Sequence, residues 1–366
     1  MGDYVMKNKN KSRNIVIACG AVIASAALVL VGLNKFGKKK KYGLIDIHIH
    51  LDGSLSLDTV YQLADMQNIE LPEDDAEIIN KMVADKYCKD LNDYLEKFEF
   101  PLTLLQTEEA ISTAVYNLCE ELREQGLLYA EIRFAPQLHT KNGLSQYEIV
   151  QAAIEGLNKS SFNANLILCC MRGEDNRKEN EETVRIAVKF HGNGVCGLDL
   201  AGAEALYPND GYEYIFLEAI KNDLPFTIHA GEALGPESVS SALDMGAYRL
   251  GHGVRASESE EVMKRLAESG VALELCPTSN LDTNVYDMLL DYPLRDFIRT
   301  GVKITINTDN TTVSRTSIDE EFERLINIFE LTDDQILKMQ LDAVDASFAD
   351  EKTKKHLTKK ITKMFK

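Results

Sequence analysis

Eight short apolar runs, most of them separated by stretches with helical spacing, constrain this chain more than any other feature. They are Tyr42–Leu51, Leu127–Pro136, Ala164–Arg172, Val195–Ala201, Pro225–Ala230, Tyr248–His252, Val271–Pro277 and Lys303–Thr308. The clearest helical pattern runs from Thr107 to Gln125, where Ile111, Ala114, Val115, Leu118, Cys119 and Leu122 share one face and Gly126 supplies the stop. Ser257 to Ser269 behaves the same way, with Val262, Met263, Leu266 and Ala267 inward and Gly270 just beyond. Strand alternating with helix calls for a parallel sheet, since parallel strands must be joined by crossovers. Eight such units in about 270 residues predict an α/β fold closed into a (β/α)8 barrel, with a doubly wound open sheet as the alternative. The segment 53–126 forms a long helical excursion between the first two strands, placed to cover the barrel mouth.

The first 41 residues read differently. They hold nine basic residues (Lys7, Lys9, Lys11, Arg13, Lys35 and Lys38 to Lys41) and one acid, Asp3. Inside them an uncharged apolar run extends from Ile15 to Leu33, long enough as a helix to cross about 28 Å of hydrocarbon. Ala24-Ser25-Ala26 resembles a signal-peptide cleavage site but lies mid-run, with apolar residues continuing behind it. The pattern predicts two parts: residues 1–41 as basic flanks around a single-pass N-terminal membrane helix (15–33), and residues 42–366 as the barrel. Four basic residues precede the run and five follow it, which slightly favours the cytoplasmic face of the membrane for the barrel.

The formal net charge of -18 argues against nucleic acid as a partner, because phosphate binding needs clustered Lys and Arg. The seven cysteines show no Cys-x-x-Cys spacing and fit a reducing compartment. The chemistry gathers instead at the strand ends. Strand one closes on His48, His50 and Asp52, and alternation puts the two histidines on one face. Strand four runs into Asp199-Leu200-Ala201-Gly202, strand five into His229-Ala230-Gly231-Glu232, and strand six into Gly251-His252-Gly253. Strand seven leads to Thr278-Ser279-Asn280 and strand eight to Asn307-Thr308-Asp309-Asn310. In a barrel, the C-terminal ends of all strands share one rim and build one site. His48, His50, His229 and Asp309 make a nitrogen-rich ligand set that suits zinc, with iron or cobalt as alternatives. Glu232 and His252 are then left over as an unused acid and an unused imidazole.

Together these motifs resemble the adenosine deaminase family. The likeness extends over nearly everything after Lys41, including Tyr129-Ala-Glu131-Ile-Arg133 and Ala343-Val-Asp-Ala-Ser-Phe348. It implies a zinc enzyme, one ion per chain, that takes a small purine nucleoside and water. Adenosine and 2′-deoxyadenosine would yield inosine and 2′-deoxyinosine plus ammonia. The resemblance makes His48, His50, His229 and Asp309 the metal ligands. Glu232 would protonate N1 while activated water adds to C6. His252 would orient the water and stabilise charge, and Asp309 would accept its proton. For the substrate, His50 would be a contact, Asp52 would accept from a ribose hydroxyl and the Gly202 N–H would donate to N3. Leu91, Tyr94, Leu95 and Phe98 lie on one helical face of the excursion; core packing is one reading, and the resemblance makes some of them an apolar wall over the nucleoside.

One departure stands out. Many members of that family carry Asp-Asp at the end of strand eight, whereas this chain has Asp309-Asn310. A carboxyl bonds the acceptor N7 only when protonated, while an Asn amide donates as it stands. Three other readings share the motifs: a deaminase of adenine or of a modified adenosine, a binuclear amidohydrolase, and an inactive membrane-tethered purine-binding protein. The binuclear type usually has a bridging lysine after strand four, where this chain has Asp199 to Gly202. The complete ligand set argues against the inactive protein.

Overall fold

The computed structural model describes residues 42–85 and 88–366. Eight parallel strands form the centre: β1 (Ile45–His50), β2 (Tyr129–Phe134), β3 (Ala164–Met171), β4 (Val195–Ala201), β5 (Thr227–Ala230), β6 (Arg249–His252), β7 (Ala272–Leu275) and β8 (Ile304–Ile306). They pair in sequence order as two four-stranded sheets, β1 to β4 and β5 to β8. Two seams join the sheets. Leu198 N donates to Pro225 O (3.0 Å) between β4 and the approach to β5. Asp309 N donates to His48 O (2.9 Å), and His50 N to Asp309 O (2.7 Å), between β1 and the end of β8. The result is a closed (β/α)8 barrel.

Helices cover the barrel and its mouth. The excursion after β1 carries α1 (Leu57–Gln67), α2 (Asp75–Met82), α3 (Leu91–Leu95), α4 (Glu99–Leu104) and α5 (Glu108–Gln125). Next come α6 (Gln146–Lys159), α7 (Arg177–Phe190), α8 (Glu213–Lys221), α9 (Pro236–Asp244) and α10 (Glu260–Ser269). The chain ends with α11 (Pro277–Asp282), α12 (Leu294–Thr300), α13 (Ile318–Phe329), α14 (Asp333–Ala346) and α15 (Glu351–Met364). α5 begins where Thr107 caps it, its side chain accepting from Ala110 N, and stops at Gly126 in the left-handed conformation. α10 starts later than its hydrophobic spacing predicts. Ser259 accepts from Val262 N as its cap, and Val254–Glu258 before it winds as a 3-10 turn.

Strand alternation explains how the sheet positions the site. On β1, Ile45 and Ile47 turn outward and pack on Ala343 and Val344 of α14 and on Leu357 and Ile361 of α15. The intervening residues face the barrel interior, which at its centre is charged. Glu131, Arg133, Asp199, Arg249 and Glu274 are all fully buried there. Arg133 donates to Asp199 (2.8 Å) and Glu274 (2.8 Å), while Arg249 bonds Glu131 (2.5 Å) and Glu274. Buried charges are tolerated only when paired in this way.

The expected membrane anchor is corrected. Among the described residues no helix is long and apolar enough to cross a membrane. Even the 18-residue α5 has charged residues along its outer side, among them Glu120, Glu121 and Arg123. The run at 15–33 lies outside the described residues, so the membrane localisation built on it has no structural support.

Candidate active site

The C-terminal rim of the barrel brings the strand-end residues together around one cavity. His50, Asp52, Gly202, His229, Glu232, His252, Asp309 and Asn310 all line it, and its volume is about 290 Å³. Across its mouth, Leu91, Tyr94, Leu95 and Phe98 of the excursion form the apolar side. His48 lies immediately beneath, fully buried.

At the floor, four side chains converge. His48 Nε2 is 3.3 Å from Asp309 Oδ1, and His50 Nε2 is 3.4 Å from the same oxygen. His50 Nε2 is also 3.3 Å from His229 Nε2. A tetrahedral ion with bonds of about 2.0–2.1 Å holds its ligands about 3.3 Å apart, so these spacings match a metal cage. The outer nitrogens are already engaged. His48 Nδ1 lies 2.6 Å from Glu274, and His229 Nδ1 lies 2.9 Å from Asp199. Burial pushes the Glu274 carboxyl up, but Arg133 and Arg249 outweigh it and hold it well below its usual range. Burial acts the same way on Asp199, and there His229 and Arg133 prevail. Each imidazole therefore donates Nδ1–H to a carboxylate and turns the Nε2 lone pair inward. Among the described residues, buried His48 Nε2 has no hydrogen-bond partner, as expected of an atom reserved for a metal. Ser279 Oγ donates to Asp309 Oδ2 (2.6 Å), which leaves Oδ1 facing the histidines.

A ligand atom of His252 also comes within 4.8 Å of those of His48, His229 and Asp309. Its hydrogen bonding argues for another role. Asn280 Nδ2 donates to His252 Nδ1 (3.2 Å), and Tyr292 Oη donates to Asn280 Oδ1 (3.1 Å). That puts the ring proton on Nε2, which becomes a donor instead of a ligand. Burial keeps the ring well below the usual histidine pKa, so it stays neutral. Its Nε2 is 3.6 Å from Glu232 Oε2 and 4.0 Å from Asp309 Oδ2. Glu232 is pushed well above the usual carboxylate range, first by burial, then by the negative charges of Asp309 and Glu204. That environment favours its protonated form. Both His252 (φ 58°) and Asp309 (φ 60°) adopt left-handed backbone, which costs about 1–3 kcal/mol each and concentrates at functional sites.

Toward the mouth, Asp52 lines the cavity, and its buried Oδ1 has no hydrogen-bond partner among the described residues. Asn310 Nδ2 donates to Tyr94 Oη (3.1 Å), which is 2.8 Å from Ser314 Oγ. One amide hydrogen of Asn310 is therefore committed to the excursion, and the second remains for a ligand. Gly53 allows this approach, since a Cβ there would come 1.8 Å from Asn310 Oδ1. Sequence reasoning passed over Glu274 and Glu204. A lone carboxylate inside the apolar run of β7 was the available signal, because it demands a buried cation.

Residues 44–364 match the adenosine deaminase family. An adenosine deaminase of Haemophilus ducreyi is 48% identical over 326 residues, which span 87% of this chain and 95% of that protein. One from Enterococcus faecalis is 39% identical over 325 residues, spanning 88% and 96%. Among solved structures, an adenine deaminase from Arthrobacter aurescens superimposes with a TM-score of 0.78 at 25% identity, covering 88% of this chain and 99% of that one. The family match begins after the apolar run at 15–33, so the likeness brings no membrane span with it.

Proposed function

We propose, because this chain belongs to the adenosine deaminase family, a hydrolytic mechanism in which each rim residue has a defined task. The chain is a deaminase acting on adenosine. Its substrates are adenosine and 2′-deoxyadenosine, its catalytic unit is residues 42–366, and its metal is one zinc ion held by His48, His50, His229 and Asp309. When bound, zinc supplies a Lewis acid that makes water nucleophilic near neutral pH.

The protein's own groups do the rest. Glu232, whose protonated form its burial favours, donates to N1 of the purine, which withdraws electron density from C6 and opens that carbon to addition. His252 directs its Nε2–H at the oxygen adding to C6 and steadies the charge that builds there. Asp309 accepts one proton of the water and passes it to the amino group, which departs as ammonia; as C6=O forms, the remaining hydroxyl proton returns to Glu232, and the product keeps the proton given to N1. The Gly202 N–H meets N3; with φ at 105°, this position favours a residue lacking a side chain. Asp52 accepts from a ribose hydroxyl, with His50 beside it, and Asn310 donates to N7. The unpartnered Asp52 oxygen favours a ribose-bearing substrate over free adenine.

The observation that supports this reading best is the buried Glu232, its carboxyl pushed upward by burial, sharing one cavity with His50, His229 and Asp309 of the proposed cage. The test is elemental analysis of the purified protein together with an absorbance assay on adenosine, 2′-deoxyadenosine and adenine. One zinc per chain and turnover of both nucleosides are expected. Two metals per chain, or adenine as the better substrate, would overturn it.

A further inference from the structure

The turn that delivers Glu232 is built on a second carboxylate that does not line the cavity. Between β5 and α9 the chain reverses through Gly231, Glu232, Ala233 and Leu234, with Gly231 in the left-handed region (φ 70°). Four consecutive backbone N–H groups there point at one place, where neither the strand ladder nor the helix can serve them. Glu204, two residues beyond Gly202, occupies that place and is fully buried. Its Oε1 accepts from Gly231 N (2.7 Å) and Ser238 Oγ (2.5 Å). Its Oε2 accepts from Glu232 N (3.1 Å), Ala233 N (2.6 Å) and Leu234 N (3.0 Å). Five donors converge on one side chain, and only an acceptor-only carboxylate suits them; an amide would turn N–H toward N–H.

We propose that Glu204 is a positioning residue for proton delivery: it clamps the backbone of the 231–234 turn so that the Glu232 carboxyl meets the purine N1 edge. This rests on the reading of Glu232 as proton donor. The clamp ties the end of β4, where Gly202 meets the substrate, to the end of β5, which carries the acid. A sub-ångström shift of that turn would leave the metal cage and the ribose contacts in place but misalign the donor, and proton transfer depends steeply on that alignment.

A double-mutant cycle on the full-length protein tests it, with Glu204→Gln, Glu232→Gln and the pair. Glu204→Gln is expected to lower kcat about 10- to 100-fold, with KM for adenosine within about threefold of the parent and metal content unchanged. On the Glu232→Gln background the same change is expected to cost less than about threefold, because its target is already gone. An equal loss on both backgrounds, a parallel rise in KM, or a kcat unchanged by Glu204→Gln would each overturn the clamp. The parent reading fails separately, and visibly, if Glu232→Gln alone stays within about tenfold of the parent. Should Glu204→Gln yield no folded protein, Ser238→Ala removes just one of the five donors and enters the same cycle. It is expected to lower kcat about two- to tenfold, with no further loss on Glu232→Gln; an unchanged kcat, or the same fall on both backgrounds, rejects the proposal.

Discussion

Glu274 Oε2 lies 2.6 Å from His48 Nδ1, and both side chains are fully buried at the centre of the barrel. The same carboxylate bonds Arg133 and Arg249. One residue thus orients a proposed metal ligand and balances two buried cations. A partner behind a ligating histidine typically contributes about 10- to 100-fold in metal affinity. Glu274→Gln is therefore expected to weaken zinc binding by about that factor in a chelator competition. It should also lower thermal stability, because two guanidinium groups lose their shared counter-charge. Unchanged zinc affinity in the folded variant would mean that Glu274 serves the arginines alone.

Glu232 separates catalysis from binding. Its proton is needed only as C6 is attacked, so its contribution belongs to the transition state. Glu232→Gln keeps the shape and still donates a hydrogen bond, but cannot readily give up a proton. A drop in kcat toward or beyond the upper end of about 10²–10⁴-fold is expected, with zinc content unchanged. Single-turnover rates and metal analysis on the same preparation check both halves.

Asn310 bears on which purines are accepted. Tyr94 Oη takes one hydrogen of its amide, leaving the other for an acceptor such as N7. Replacing N7 by C–H, as in 7-deazaadenosine, strands that donor, and the parent should discriminate about 10- to 100-fold in kcat/KM. Asn310→Leu should process adenosine and 7-deazaadenosine at nearly equal kcat/KM. If the parent's preference survives in that variant, N7 is read by some other residue.

Glu321, on α13, predicts a pH effect on stability away from the site. It is buried, with Oε1 accepting from Thr316 Oγ1 (2.6 Å) and Oε2 from Thr278 N (3.2 Å). Burial pushes its carboxyl from 4.5 up to about 7. The folded state therefore binds this proton more tightly than the unfolded chain does. The stabilisation is fully present below pH 4.5 and is lost as pH rises through about 7. The change is on the order of 3 kcal/mol. Glu321→Gln mimics the protonated form and should flatten urea midpoints measured across that window. A variant whose midpoints fall with pH as steeply as the parent's would assign the effect to other groups.

The sequence by itself determined the repeating strand–helix order and the rim residues. Histidines are few in this chain, and each of His48, His50, His229 and His252 falls at the end of an apolar run, where only the barrel's C-terminal face lies beyond. Local rules also set α5, because its cap, its apolar stripe and its stop lie within one stretch of chain. The apolar run at 15–33 lies outside the described residues, and among those described no helix is long and apolar enough to cross a membrane. The tertiary structure alone decided how the site is tuned. Glu274 reaches His48 across 226 residues of sequence, Asn280 sets the tautomer of His252 from 28 residues away, and Tyr94 meets Asn310 across 216. Hydrogen-bond direction and the burial that shifts a pKa depend on neighbours brought together by closure of the barrel, and no local pattern records who those neighbours are.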